Sequence, residues 1–122
     1  MQLHPVSITG IGRYLPKKVI TNDDIARLVD TSDEWIITRT GIRERRVVGS
    51  DETAVSMASA AAQDAMHFAR IAPADIDLII VATSLPDSLY PSTACEVQAE
   101  IGAANAAAFN VIAACSGLVY GI

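Results

Sequence analysis

The sequence has few aromatic residues, few cysteines and no long apolar run. Its 122 residues include one tryptophan and two cysteines, and acidic residues outnumber basic ones to give a net charge of −5. No stretch reaches the ~18 charge-free residues that a membrane span needs, so we expect no membrane-spanning helix. The negative charge argues against general nucleic-acid binding.

The scarcity of metal-binding side chains argues against a metal site. Cys95, Cys115, His4 and His67 show no ligand spacing, and no metal or other cofactor is expected. The first residues lack the pattern of a signal peptide. We therefore expect a reducing, cytoplasmic compartment and no disulfide. We expect Cys95 to pack in the core and His67 to be an ordinary surface or core histidine.

Apolar segments alternate with helical patterns along the chain. Capping-box patterns at Thr21 and Thr31 predict two short helices, the second running to about Thr38 and ending at Gly41. Longer patterns predict helices over 53–70 and 92–101 and another from Cys115 onward. Strands are predicted at 6–12, 42–48, with arginines alternating outward, 76–83 and 109–113. This order predicts an α/β layered fold with a mainly parallel sheet.

Small residues form a stripe along the longest predicted helix. Alanines recur at three-to-four spacing, at positions 54, 58, 61, 65 and 69. Such a stripe lets another backbone approach the helix closely.

Cys115 follows an apolar run and precedes a new helical pattern. In parallel sheets, ligands bind beyond the carboxyl ends of the strands, which is where Cys115 is expected. Free N–H groups at the start of a helix favour a thiolate, so Cys115 is a candidate nucleophile. Free cysteines are also among the most buried residues, and a structural cysteine is the alternative.

Thr31, Trp35 and Arg39 are spaced i, i+4 and i+8 and are expected on one side of a helix. An indole beside a guanidinium and a hydroxyl can stack a nucleotide base and hold a phosphate. The alternative is a Trp–Arg cation–π pair at the surface. Arg39 also begins a basic cluster with Arg43, Arg45 and Arg46, which is either an anion site or a solvated edge.

Two segments carry a resemblance to a known family. The segment 30–46, DTSDEWIITRTGIRERR, resembles the N-terminal signature of β-ketoacyl-acyl-carrier-protein (ACP) synthase III, and 113–117, AACSG, resembles its nucleophile turn. The resemblance implies the thiolase-like αβαβα layered fold, built from two similar halves and acting as a homodimer. Residues 1–122 then correspond to the N-terminal part, roughly the first half.

The resemblance also implies an activity, the initiation of type II fatty-acid synthesis. Cys115 would take an acyl group, usually acetyl, from acyl-CoA and condense it with malonyl-ACP to give a 3-oxoacyl-ACP. Trp35 matches the residue that stacks the CoA adenine, and Arg39 and Thr31 match residues near the nucleotide. Tyr90 matches a loop position that reaches the partner subunit's acyl pocket.

Other functions remain open on the sequence. The family's catalytic histidine and asparagine lie in the second half, so residues 1–122 alone are expected to be inactive. Ser116 and Leu118 depart from the alanine and aromatic residue common in the family, which leaves the acyl-chain preference open. Alternatives are another condensing enzyme of the same fold, such as a secondary-metabolite or 3-hydroxy-3-methylglutaryl-CoA synthase, a non-catalytic fragment packing on another chain, and a thiol redox module.

Overall fold

The computed structural model describes residues 5–122, so His4 lies outside the described residues. The chain forms two compact units. The inserted unit is Leu15–Glu52, and the main unit joins the residues up to Tyr14 with Thr53–Ile122. The inserted unit contains β1 (Lys18–Thr21), α1 (Asn22–Ala26), α2 (Asp33–Thr40) and β2 (Glu44–Val47). The main unit contains α3 (Ala54–Ala69), β3 (Leu78–Ala82), α4 (Thr93–Ile101), β4 (Ala107–Val111) and α5 (Gly117–Gly121).

Side-chain caps define the two short helices of the inserted unit. At the start of α1, the Thr21 hydroxyl accepts from the Asp24 N–H at 3.2 Å, and the Asp24 carboxylate accepts from the Thr21 N–H at 3.0 Å. That backbone hydrogen bond is the main reason why the pKa of Asp24 is lowered. The predicted capping box is confirmed here. The second helix is capped by Ser32 rather than Thr31, and Gly41 ends it at φ +70° as predicted.

Strands β1 and β2 pair antiparallel, with Lys18 opposite Val47 and Thr21 opposite Glu44. The predicted strand at 42–48 is therefore confirmed over a shorter range. Its arginines do not all point outward, because Arg45 is partly buried. A hydrogen bond to a buried asparagine explains this inward orientation, as described below.

The main unit is layered around a parallel strand pair. Strands β3 and β4 run side by side from Leu78 opposite Ala107 to Ala82 opposite Val111, which confirms the predicted parallel pairing. One face of β3, with Ile79 and Val81, packs against a core of residues that includes Met66, Val97, Ile101, Ala103 and Ala106. On the other face, Gly121 and Gly117 of α5 approach Ile80 and Ala82. Alternate residues of β3 thus contact helices on opposite faces.

The alanine stripe of α3 receives the chain segment that precedes the inserted unit. A Cβ atom added at Gly12 would lie 2.2 Å from the Ala61 carbonyl oxygen, and one at Gly10 would lie 2.6 Å from that of Ala65. The close backbone approach predicted from the stripe is confirmed. The strand predicted at 6–12 is wrong, because no neighbouring strand completes a hydrogen-bond ladder with this segment within residues 5–122.

The last two elements differ from the prediction by a few residues. The strand predicted at 109–113 begins earlier, at Ala107, and ends at Val111. The helix predicted from Cys115 begins at Gly117, after a single 3₁₀ turn at Ala114–Ser116. Within residues 5–122, none of the helices has the length and apolar character needed to cross a membrane.

Candidate functional site

The first candidate site is the turn that connects β4 to α5. Cys115 is the middle residue of the 3₁₀ turn Ala114–Ser116, beyond the carboxyl end of β4. Within residues 5–122 its thiol is free and the residue is exposed rather than buried. A thiol in this position is accessible to a ligand at the end of the parallel strand pair.

Ala114 gives this turn a strained backbone. Its φ of +44° lies in the left-handed region, which costs an L-residue with a Cβ about 1–2 kcal/mol. Neighbouring contacts hold the conformation: the Ser116 N–H donates to the Ala113 carbonyl at 3.0 Å, and the buried Gly117 lies against Ala82. Strain that is held in this way is concentrated at functional sites in proteins.

Cys95 is the second free thiol, and it is exposed as well. The prediction that it packs in the core is wrong. The buried residues of α4 are Thr93, Ala94, Val97 and Ile101, and the helical rotation places Cys95 off this face. Its sulfur instead accepts a hydrogen bond from the Ser92 hydroxyl at 3.2 Å.

The second candidate site lies in the inserted unit around Trp35. The guanidinium carbon of Arg39 lies 4.6 Å from the centroid of the indole ring, a cation–π geometry, and Trp35 remains 54% exposed. The predicted juxtaposition of these two residues is confirmed. Thr31 lies before the helix cap rather than on α2, so the predicted three-residue helical row is shortened to two.

Two open grooves share the Trp35 side chain. A groove of about 700 Å³ is lined by Ile25, Val29, Asp30, Thr31, Ser32, Trp35 and Ile36. A groove of about 320 Å³ is lined by Ser32, Glu34, Trp35, Thr38 and Arg39. Thr31 therefore contributes to the first groove and Arg39 to the second. An exposed ring between a largely apolar groove and a positive charge can stack a base while the charge attracts a phosphate.

The basic cluster does not form a single anion site. Arg45 donates to the Asn22 side-chain oxygen at 2.9 Å, and Arg46 donates to the Pro16 carbonyl at 3.1 Å. Arg39 stacks on Trp35, whereas Arg43 is exposed. The structure thus assigns three of these side chains to contacts within the inserted unit.

Sequence reasoning missed Asn22, which is 1% exposed and hydrogen-bonded to Asp33 of α2, to Arg45 of β2 and to Ile42 in the loop between them. An asparagine beside a helix cap is typical of an exposed turn, so its type and position gave no signal of burial. Among residues 5–122, no group of His, Cys, Asp or Glu side chains could hold a metal ion.

Comparison with known proteins gives these sites a context. The β-ketoacyl-ACP synthase III of Methylococcus capsulatus is 55% identical over 115 residues, which cover 94% of this chain and 36% of that protein. A crystal structure of the Aquifex aeolicus 3-oxoacyl-ACP synthase III matches 93% of this chain and 36% of that chain with a TM-score of 0.89 and 53% identity. The resemblance to β-ketoacyl-ACP synthase III is confirmed. No family model matches the chain.

The synthase III relatives also settle the fold. The chain is an α/β part of the thiolase-like layered fold of these enzymes, and it spans about a third, rather than half, of the length of the curated relatives that it matches. A priming β-ketosynthase from a polyketide biosynthetic pathway matches with the same TM-score of 0.89 at 38% identity, covering 93% of this chain and 34% of that chain. The fold is thus shared by condensing enzymes with different names.

Proposed function

We propose that residues 1–122 are the N-terminal part of an acyltransferase that initiates type II fatty-acid synthesis. The complete enzyme moves an acyl group, acetyl in the first instance, from acyl-CoA to Cys115. The acylated enzyme then condenses with malonyl-ACP and releases a 3-oxoacyl-ACP. The identity to synthase III sequences along nearly the whole chain supports this assignment.

The observation that carries the proposal is the exposed thiol of Cys115 in a strained turn at the end of β4. The thiolate attacks the thioester carbonyl carbon of acyl-CoA, forming a new carbon–sulfur bond as the bond to CoA breaks. CoA leaves as a thiolate and takes up the proton that the Cys115 thiol released. In the second step malonyl-ACP loses CO₂, and the resulting carbanion attacks the enzyme thioester. A new carbon–carbon bond forms and the Cys115 thiolate is the leaving group.

The nucleotide end of CoA is assigned to the Trp35 site. The exposed indole offers a face for stacking the adenine, and the Arg39 guanidinium carbon, 4.6 Å from the ring centroid, supplies positive charge for phosphate. Thr31 lines the larger groove beside the same ring and offers a hydroxyl. No further cofactor is needed for this chemistry.

The remaining parts of the proposal concern the whole enzyme. Charge develops on a thioester oxygen during decarboxylation, and one donor aimed at such an oxygen contributes about 3–4 kcal/mol. The resemblance implies that the histidine and asparagine that supply these donors in the family lie in its second half, so this chain alone is proposed to be inactive in condensation. The enzyme is proposed to be a cytoplasmic homodimer in which Tyr90, 91% exposed here, reaches the partner subunit.

Acyl transfer tests the role of Cys115 directly. Full-length protein is incubated with acetyl-CoA labelled in the acetyl group, and the label is mapped by peptide mass spectrometry. We expect the acetyl group on Cys115 in the wild type and in Cys95→Ala, but not in Cys115→Ala. Cys95 is a matched control because it is a second free, exposed thiol. Label on Cys95, or no label on either thiol, would contradict the proposal.

A second experiment separates the proposed function from another condensing enzyme. The same-fold priming β-ketosynthase makes this alternative a specific one. Acylated full-length protein is supplied with malonyl-ACP or with acetoacetyl-CoA, and the condensation product is identified. We expect product only with malonyl-ACP, and residues 1–122 alone should show no decarboxylation of malonyl-ACP above background.

A further inference from the structure

Asn22 is a polar residue buried within the inserted unit. It is 1% exposed, and its amide nitrogen donates to the Asp33 carboxylate at 2.8 Å and to the Ile42 carbonyl at 2.8 Å. Its amide oxygen accepts from Arg45 at 2.9 Å. Both amide hydrogens and the oxygen are therefore used, which is close to the full capacity of an asparagine side chain.

The partners of Asn22 lie at the two ends of α2. Asp33 is the first residue of this helix, and Ile42 directly follows Gly41, which ends it. One side-chain amide therefore holds both ends of the helix that carries Trp35 and Arg39. Through Arg45, the same amide also connects this helix to β2.

Hydrophobic packing alone holds α2 weakly. Ile36 is the only buried residue among the eight residues of this helix. Helices of this length are not stable in water without tertiary contacts, so the few contacts that α2 makes determine its position. The polar contacts of Asn22 are accordingly a main determinant of where the indole and guanidinium of the nucleotide site lie.

We infer that Asn22 is a positioning residue that fixes Trp35 and Arg39 in the orientation needed to bind an adenine nucleotide. The inference rests on the proposed function for the identity of the ligand. Asn22 lines neither of the two grooves that share Trp35. It acts through α2, and its loss should change the orientation of Trp35 and Arg39 more than it changes the structure of the rest of the chain.

The substitution Asn22→Asp keeps the size of the side chain and removes both donors. Oxygen atoms then face the Asp33 carboxylate and the Ile42 carbonyl, so two hydrogen bonds become repulsive contacts while the acceptor for Arg45 remains. The exposed Asp33 gives a second variant. Asp33→Ala removes one acceptor, whereas Asp33→Asn keeps an acceptor oxygen of the same shape.

The experiment uses residues 1–122 and the single tryptophan within them. CoA is titrated while Trp35 fluorescence is recorded, and the indole N–H resonance is recorded by NMR without ligand. Asn22→Asp and Asp33→Ala should each weaken CoA binding about tenfold and shift the indole resonance, because a misplaced binding group loses most of its interaction. Asp33→Asn should retain both properties. Asn105→Asp in the main unit is the matched control, because the Asn105 amide also donates to a backbone carbonyl, that of Ala74, but lies outside the inserted unit.

The outcomes separate this inference from the proposed function. If wild-type residues 1–122 do not bind CoA, the proposed assignment of the CoA nucleotide to the Trp35 site fails, while the indole resonance still tests the role of Asn22. If the circular dichroism spectrum shows that Asn22→Asp does not fold like the wild type, the comparison of Asp33→Ala with Asp33→Asn tests the inference instead. Wild-type resonance and CoA affinity in Asp33→Ala, or equal losses in Asp33→Asn and Asp33→Ala, would overturn the inference.

Discussion

The contact between Gly117 and Ala82 gives a sharp test of how the nucleophile turn is held. A Cβ atom added at Gly117 would lie 2.8 Å from the Ala82 Cβ. Carbon atoms in favourable contact lie about 3.5–4.0 Å apart, so the substitution Gly117→Ala requires a displacement of roughly 0.7–1.2 Å. Overpacking of this size typically costs about 1–3 kcal/mol. Because Gly117 is two residues from Cys115, the displacement should also change the exposure of the thiol.

The perturbation is measured by urea unfolding and by the alkylation rate of Cys115 relative to Cys95. Gly121→Ala is the control, because its nearest added contact is an ordinary 3.7 Å to Ile80. The free energy of unfolding of this control should be unchanged or raised by about 0.5–1 kcal/mol, since alanine favours a helix more than glycine does.

A double-mutant cycle identifies the contact itself. Ala82→Gly removes the atom that Gly117→Ala would meet, so the combined variant should recover at least about 1 kcal/mol relative to the sum of the two single changes. It should also restore the relative alkylation rate of Cys115. Additivity within about 0.5 kcal/mol would refute the reasoning, because residues without a shared contact behave in that way.

Three further predictions concern stability. The backbone hydrogen bond from Thr21 lowers the pKa of Asp24 below its ordinary 3.8. The Asp24 carboxylate therefore stabilises the chain fully above pH 3.8, and this stabilisation is lost as the pH falls through the pKa of Asp24 in the folded chain. The urea midpoints of wild type and Asp24→Asn should accordingly converge in acid. Asp87 accepts the Ala54 and Val55 N–H groups at 3.1 and 3.0 Å, and Asp87→Ala should destabilise the chain by about 0.5–2 kcal/mol in urea unfolding, whereas an unchanged midpoint would contradict this cap. Gly12→Ala should lower the thermal midpoint strongly, because its Cβ would meet rigid backbone of α3 at 2.2 Å; a wild-type midpoint would disprove this packing.

Local sequence signals predicted the elements whose causes are local. The capping box at Thr21 and the helix end at Gly41 each act within a few residues, and the structure has both. The stripe of alanines on α3 likewise predicted close packing from a spacing along one helix. Signals of this kind are contained in a short window of sequence.

The predictions that failed depend on contacts between distant segments. Alternation at 6–12 indicated a strand, but a strand needs a neighbour for its hydrogen bonds, and a single segment does not reveal whether one is available. The burial of Asn22, which was not predicted, depends on Asp33 of α2, Arg45 of β2 and Ile42 in the loop between them. The exposure of Cys95 depends on which face of α4 the core covers.

The antiparallel ladder of the inserted unit has a consequence for the order of folding. Because Lys18 lies opposite Val47, the chain enters and leaves this unit side by side, and its contacts are local in sequence. The main unit instead must bring the residues before Leu15 back to a helix that begins after Glu52. Closing the smaller loop first shortens the effective chain that remains to be closed. We therefore expect the inserted unit to fold early and to lower the entropic barrier to assembling the main unit, which carries the Cys115 thiol.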